Sequence, residues 1–246
     1  MIIDVPALRQ LWEQAFGDTQ AYIDGFFHTG FCPDRCGCIY QDGQLAAALY
    51  WFDCLWQKKK LAYVYAVATE KAFRGRGMCR KLMEQTHNHL KAEGYTGAVL
   101  VPGNEGLYSM YGKMGYRGFC PMEKKLVMAA GESVQLRLVS PDAYGQLRQV
   151  YLPEDAVVQE RALLQFAAGF VDFYTDGECL FCGTGEADTF YFQEFLGDPE
   201  KIPGILKALG VKKGIVRLSG GEKPFAMYHK LTHDLGMPSY FGIALD

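Results

Sequence analysis

The chain reads as an α/β protein built from two successive units, the second a looser version of the first. Three observations predict this. Strand-like and helix-like segments alternate regularly through the first 130 residues. A loop bearing glycine and arginine, Phe73 to Gly77, joins a strand to an amphipathic helix. After Ala129-Ala130-Gly131-Glu132, which has the composition of a linker, the same order of elements returns. The expected domains are residues 1–130, which hold the loop, and residues 131–246, which do not.

Taken in order, Pro6 to Phe16 and Thr19 to Phe27 form two short helices separated by the break Gly17-Asp18. Cys36 to Tyr40 and Gln44 to Leu55 pair as a hairpin about Gln41-Asp42-Gly43, whose Asp-Gly step suits a tight turn. Lys60 to Thr69, rich in Tyr, Val and Ala, is a third strand. The helix Met78 to Glu93 gathers Cys79, Leu82, Met83, Thr86 and Leu90 on one face, and Gly94 stops it. Ala98 to Val101 is a short buried strand. Asn104 then caps a helix that runs to Met114 and ends at Gly115. Strands at Tyr116 to Cys120 and Met122 to Met128 close the first unit. In the second, Ser133 to Val139 is a strand, and Asp142 to Tyr151 and Val157 to Ala167 are helices. Val171 to Phe195 holds strands, with turns at Asp176-Gly177 and Gly183 to Gly185. A helix at Pro199 to Leu209 precedes strands at Gly214 to Leu218, Phe225 to Lys230 and Tyr240 to Leu245.

Composition narrows the function. An apolar share of 49% and a charged share of 22% supply an ordinary globular core. The formal net charge is −3, and the like-charge run Lys58-Lys59-Lys60 reads as a solvated hairpin tip, so nucleic acid is excluded as a partner. Asp4, Arg9 and Glu13 interrupt the apolar positions between Met1 and Phe16, so neither a secretion leader nor a membrane span is expected, and the expected compartment is the cytoplasm. The eight cysteines include the cluster Cys32, Cys36, Cys38 and the C-x-x-C pair Cys179 and Cys182. They lack paired C-x-x-C modules or a neighbouring His pair, and Cys179 and Cys182 would point to opposite faces of a strand. The expectation is reduced structural thiols and no metal.

Arg74-Gly75-Arg76-Gly77-Met78-Cys79-Arg80 carries the chemistry. Glycines let successive backbone N–H groups turn into one concavity, and the following helix adds unpaired donors and the positive end of its dipole. Such a cradle suits a phosphate or pyrophosphate, here reinforced by three arginines. Neither G-x-x-x-x-G-K-[ST] nor G-x-G-x-x-G is present, which argues against nucleoside triphosphates and dinucleotides.

The segment Val67 to Cys79 resembles the acetyl-CoA motif of the GNAT (GCN5-related) N-acetyltransferase superfamily, written Q/R-x-x-G-x-G/A. Arg74, Gly77 and Cys79 occupy its defined positions, and Cys79 departs from the usual small residue. A second signature of that superfamily follows, with Asn104 seven residues before Tyr111. The resemblance implies a GNAT fold, a mixed central sheet flanked by helices, followed by a degenerate GNAT-like domain. It implies acetyl-CoA as co-substrate and an amine as acceptor. Val67, Ala68 and Thr69 would pair with the pantetheine arm. The amides of Gly75, Arg76, Gly77, Met78, Cys79 and Arg80 would hold the pyrophosphate. Asn104 would face the pantetheine, and Tyr111 would protonate the departing thiolate, with Tyr108 as an alternative hydroxyl off the motif position. The amine would attack the thioester directly, after losing a proton to a base or a water relay.

The base stays open among Glu70, Asp53 and a water relay, with Tyr63 and Tyr65 on the same strand. The tandem plan is similar to the enhanced intracellular survival group of acetyltransferases, which uses its chain terminus as a base; that likeness nominates the carboxylate of Asp246, although the group's third domain is missing here. In the second half, Gly197 to Gly204 offers Asp198 and Glu200 instead of an arginine-glycine cradle, so one cofactor site is expected. Tyr22, Phe26, Phe27, Trp51, Phe52 and Trp56, with Asp24 and Asp53, would suit a cationic acceptor. A CoA-binding sensor without turnover and a cofactor-free interaction module are the competing functions. Acceptor, acyl preference and oligomeric state are not legible.

Overall fold

The structure is a computed structural model that describes residues 3–232 and 236–245. The chain divides into two compact units, Met1–Arg117 with Met227–Met237, and Gly118–Ala226 with Pro238–Asp246. This division falls upstream of the Ala129–Glu132 segment, because the strand after Tyr116 runs unbroken to Met128.

The first unit opens with α1 (Val5–Phe16), whose first turn is capped by the Asp4 carboxylate accepting from the Ala7 N–H at 3.0 Å. Gly17, at φ 70°, ends it in the left-handed region. Thr19 caps α2 (Gln20–Gly25), and a π-helical turn, Phe26–Gly30, follows, closed by the Phe31 N–H donating to Phe26 O at 2.7 Å. β1 (Cys36–Gln41) and β2 (Gln44–Trp56) form the expected hairpin, with Asp42 and Gly43 both at positive φ. Gln57 and Lys58 make a second such turn into β3 (Lys59–Thr69). α3 (Met78–Ala92), β4 (Gly97–Leu100) and α4 (Glu105–Gly112) complete the run.

Antiparallel pairing joins β1 to β2 and β2 to β3, while β3 runs parallel to β4. The sheet is completed by residues 227–230 of a strand from far downstream, antiparallel to β4. Helices cover both faces. Trp12 of α1 packs on Tyr50 and Tyr65. On the opposite face Leu82, Met83 and Leu90 of α3 bury Leu49, Trp51 and Val64. Each fully buried side chain of this size contributes about 1.5–3 kcal/mol.

In the second unit the order is β5 (Arg117–Met128), β6 (Arg137–Leu138), α5 (Pro141–Tyr151), β7 (Ala156–Gln159), α6 (Arg161–Ala167), β8 (Asp172–Thr175), β9 (Leu180–Glu186), β10 (Thr189–Leu196), α7 (Ile202–Ala208), β11 (Lys213–Lys230) and β12 (Tyr240–Phe241). β10 pairs parallel with β11 and antiparallel with β9, and β9, β8 and β6 follow in antiparallel order. Phe181, Phe190, Phe192 and Phe195 pack with Ile202, Ile205 and Leu206 of α7.

Several elements differ from expectation. Val157 and Val158 lie in β7, not in a helix, because β7 runs parallel to β12, with Ala156 opposite Tyr240 and Val157 opposite Phe241; non-local pairing and β-branching outweigh the helical pattern. Gly183 sits inside β9 and marks no turn. A Cβ there would stand 2.2 Å from Tyr191 O, so glycine is needed for close strand approach. The turn falls at Ala187, at φ 52°. The two strands expected between Tyr116 and Met128 are one, as are those from Gly214 to Lys230, whereas Ser133–Val139 and Tyr240–Leu245 shrink to two-residue strands.

A polar network lies inside the second unit. Arg148 grips Glu194 through Nε and Nη2, each at 2.7 Å, with both side chains at 0% exposure. Tyr144 donates to Glu194 at 2.8 Å, and Arg148 Nη2 also donates to Gln159 Oε1 at 2.7 Å. Gln159 in turn donates to Ile243 O at 2.8 Å, fixing the C-terminal segment. Removing one partner strands a buried charge. Arg148→Leu is therefore expected to cost about 3–5 kcal/mol in urea unfolding, while replacing Arg148 and Glu194 together by apolar residues costs much less.

The first unit holds a histidine pair, His87 buried and His229 half-buried. The His87 and His229 rings stack with centroids 4.2 Å apart and planes 9° apart, and His87 Nε2 lies 2.8 Å from the Tyr116 hydroxyl. Burial, and then the proximity of His229, hold the His87 pKa down to about 3 from 6.5. The folded state thus binds fewer protons than the unfolded state between these values, so stability rises with pH there. Unfolding free energy is expected to be level above pH 6.5 and to fall by about 1.4 kcal/mol per pH unit as pH drops towards 3. His229, also shifted down by burial, adds to the slope. Urea titrations at stepped pH check this, and His87→Gln should flatten the curve.

Candidate active site

Two irregularities in β3 open the first unit's sheet. Its pairing with β4 covers Leu61 to Tyr63, and β3 then continues to Thr69. Between Tyr65 and Ala68 the register against β2 shifts, so Ala66 and Val67 together oppose Leu49, and Ala66 takes φ 48°. The bulge bends the strand away and re-aims the backbone of its last residues.

The chain then tightens into the 3-10 turn Lys71–Phe73, which anchors the loop through buried Phe73. Arg74 Nε donates to Thr69 O at 2.9 Å and ties the loop back to the strand. Gly75 at φ 73° and Gly77 at φ 76° take the left-handed turns that reverse the backbone. A Cβ added at either meets no atom within 4 Å, so the space above the loop is open. α3 begins at once. Its first intrahelical bond runs from the Lys81 N–H to Gly77 O at 3.0 Å, which leaves the N–H groups of Met78, Cys79 and Arg80 ahead of the ladder. Arg74, Arg76 and Arg80 are exposed, with Arg76 5.7 Å from the Phe73 ring centroid.

These parts line a cleft of about 350 Å³. Its walls include Val67, Ala68 and Thr69 from β3, Arg74, Gly75 and Gly77 from the loop, Met78 and Cys79 from α3, and Tyr111 from α4. Tyr111 is 6% exposed, and burial followed by the nearness of Cys79 raises its pKa well above the ordinary phenol value. It therefore stays protonated at neutral pH. Burial also raises the Cys79 pKa, which keeps that thiol uncharged beside the loop. Ala15 and Phe16 of α1 and Leu107 and Met110 of α4 line the cleft too. Sequence reasoning missed these four; the one signal in the sequence was Phe16, a large apolar residue at a helix end just before Gly17, and the structure leaves it exposed.

Other nominated residues lie elsewhere. Asn104 caps α4, its Oδ1 accepting from the Leu107 N–H at 3.1 Å, and it is not in the cleft wall. Asp53 accepts from the Tyr95 hydroxyl at 2.5 Å and pairs with Arg35, and it lines a different cleft. Glu70 stands at the start of the 3-10 turn outside the lining. Among the described residues, the titratable groups of the cleft wall are Arg74, Cys79 and Tyr111, and no carboxylate joins them. Asp246 lies outside the described residues. Of the aromatic residues nominated for the acceptor, Phe26, Phe52, Trp51 and Trp56 are core residues at 4% exposure or less. Trp51 lies on the α3 face, and Trp56 packs edge-on against Tyr228. Tyr22 remains half-buried, its hydroxyl 2.8 Å from that of Tyr65.

Among the described residues no group of three or more His, Cys, Asp or Glu side chains is placed to hold a metal, and no helix is long and apolar enough to cross a membrane. Residues 3–118 match the family model described as an acetyltransferase (GNAT) domain. No curated protein matches. Among solved structures, a GCN5-related N-acetyltransferase from Anabaena variabilis is similar at 16% identity and TM-score 0.71, over 93% of this chain and 70% of that one. Eis1 from Mycobacterium abscessus is similar at 11% identity and TM-score 0.66, over 92% and 70%. A tandem GNAT protein from the clavulanic acid biosynthesis pathway is similar at 11% identity and TM-score 0.55, over 94% and 95%. At these identities the likeness speaks for the fold, which in the last case extends over a tandem arrangement.

Proposed function

We propose, from the premise that residues 3–118 form a GNAT acetyltransferase domain, that this protein is an acetyl-CoA-dependent N-acetyltransferase acting on a primary amine of a small molecule or peptide. One observation carries the reading: the bulged end of β3, the Gly75–Gly77 loop and Tyr111 line one cleft. The residues present fit the co-substrate. Free N–H donors at the head of α3 and the open space over Gly75 and Gly77 suit a pyrophosphate, with Arg74, Arg76 and Arg80 supplying positive charge. The end of β3, beyond its pairing with β4, suits an extended amide-bearing arm held as an added strand.

When bound, acetyl-CoA supplies the activated acyl group. In this reading Tyr111, protonated and lodged in the cleft wall, gives its proton to the departing thiolate. Backbone donors at the end of β3 polarise the thioester carbonyl, and the apolar walls of Phe16, Leu107 and Met110 limit water around it. The attacking amine gives up its proton either to the carboxylate of Asp246 or to water, since no carboxylate of the described residues lines the cleft. That same observation favours a second reading, a CoA-binding sensor without turnover.

Calorimetry with acetyl-CoA tests the premise. Wild type is expected to bind, and Gly77→Asp, which puts bulk and negative charge into the cradle, to weaken binding by about tenfold or more, equivalent to about 1.4 kcal/mol. A folded wild type that does not bind removes the enzyme and sensor readings together. Tyr111→Phe should leave acetyl-CoA affinity intact and lower kcat by about 100-fold or more toward an accepted amine. Deleting Asp246 separates the two routes for the amine proton: a lost rate assigns it to the tail, an unchanged rate to water.

A further inference from the structure

Cys36 and Cys38 lie outside the candidate active site, on the edge strand β1, which pairs with β2 on one side. Spaced two apart, they face the same way from the sheet, and their sulfurs approach to 3.6 Å. Both are half-buried, and both line a cleft of about 1030 Å³ that also includes Ile3, Phe31 and Leu82. A cleft of that size has room for a thiol-bearing tripeptide.

We propose that Cys36 and Cys38 form a reversible dithiol–disulfide pair that is oxidised by a low-molecular-weight disulfide. Two residues along a strand separate the Cα atoms by about 6.6 Å, near the upper limit that a disulfide spans. A bridge here therefore asks the pleat of β1 to shorten, which a strand paired on one edge accommodates most easily. A bridge closed under that constraint is readily reduced again, the behaviour of labile disulfides and not of structural ones. The chemistry has a direction. The contact from the Cys36 thiol is the main cause that lowers the Cys38 pKa and raises that of Cys36, so Cys38 is the more nucleophilic sulfur. The Cys38 thiolate attacks one sulfur of the external disulfide, and the other half leaves as a thiolate that takes up a proton. Cys36 then loses its proton and attacks the Cys38 sulfur of the mixed disulfide. The Cys36–Cys38 bond forms and the second external thiol departs. In sum, two protein thiols and one external disulfide become one protein disulfide and two external thiols.

The test uses the full chain, reduced, desalted and incubated with oxidised glutathione, with free thiols then alkylated and the peptides mapped by mass spectrometry. Wild type is expected to lose two hydrogens at a Cys36–Cys38 linkage that dithiothreitol reverses. Cys36→Ser is expected to stop at a glutathione adduct on Cys38, and Cys38→Ser to react much more slowly at Cys36. A wild type that stays fully reduced, retains a stable glutathione on either thiol, or links Cys36 to Cys32 overturns the proposal.

Discussion

The candidate site depends on how β3 is paired. Its hydrogen bonding to β4 stops at Tyr63, whereas its pairing with β2 continues, with a bulge at Ala66 and Val67, as far as Thr69. A strand held on one side and released on the other presents a row of backbone donors and acceptors without the instability of a wholly free edge. Everything else in the cleft is arranged around that release. The 3-10 turn brings the loop back through Arg74 to Thr69 O, and α3 starts where the loop ends. Tyr111 comes from the opposite wall on α4, whose own start is fixed by Asn104.

Much of this was legible in the residues because the signals are local. Gly75 and Gly77 mark left-handed turns, Gly77 leads straight into an amphipathic helix, and the Asp42-Gly43 step sets a hairpin. These depend on near neighbours in sequence, and the structure has them where the pattern put them. Harder to read were features decided by distant partners. The segment Ala156–Gln159 became a strand because Tyr240 and Phe241 lie alongside Ala156 and Val157. Gly183 looked like a turn residue but answers to the carbonyl of Tyr191. Asp53 had the composition of a candidate base, yet Arg35 and Tyr95 engage its carboxylate in another cleft. Spacing says nothing about which carboxylate has a side-chain partner, since partner and face are fixed only when the sheet assembles.

The two units hold polar groups in contrasting ways. In the second, Arg148 and Glu194 are fully buried and grip each other, with Tyr144 and Gln159 as further partners, while Arg148 Nη1 has no hydrogen-bond partner, so loss of either side chain falls on an already demanding site. In the first, His87 is kept neutral beside His229 and Tyr116, so its cost appears only when the surroundings supply protons. One device is sensitive to change of sequence and the other to change of pH.

β11 has a consequence for how the molecule comes into being. Residues 227–230 complete the first unit's sheet against β4, although residues 101–226 separate the two in sequence. During synthesis the N-terminal unit must therefore wait, its β4 edge unsatisfied, until residues 227–230 have been made. Such late closure raises contact order and slows folding. The first unit is consequently not a module that evolution or an engineer can lift out at its own end; its last strand travels with the second.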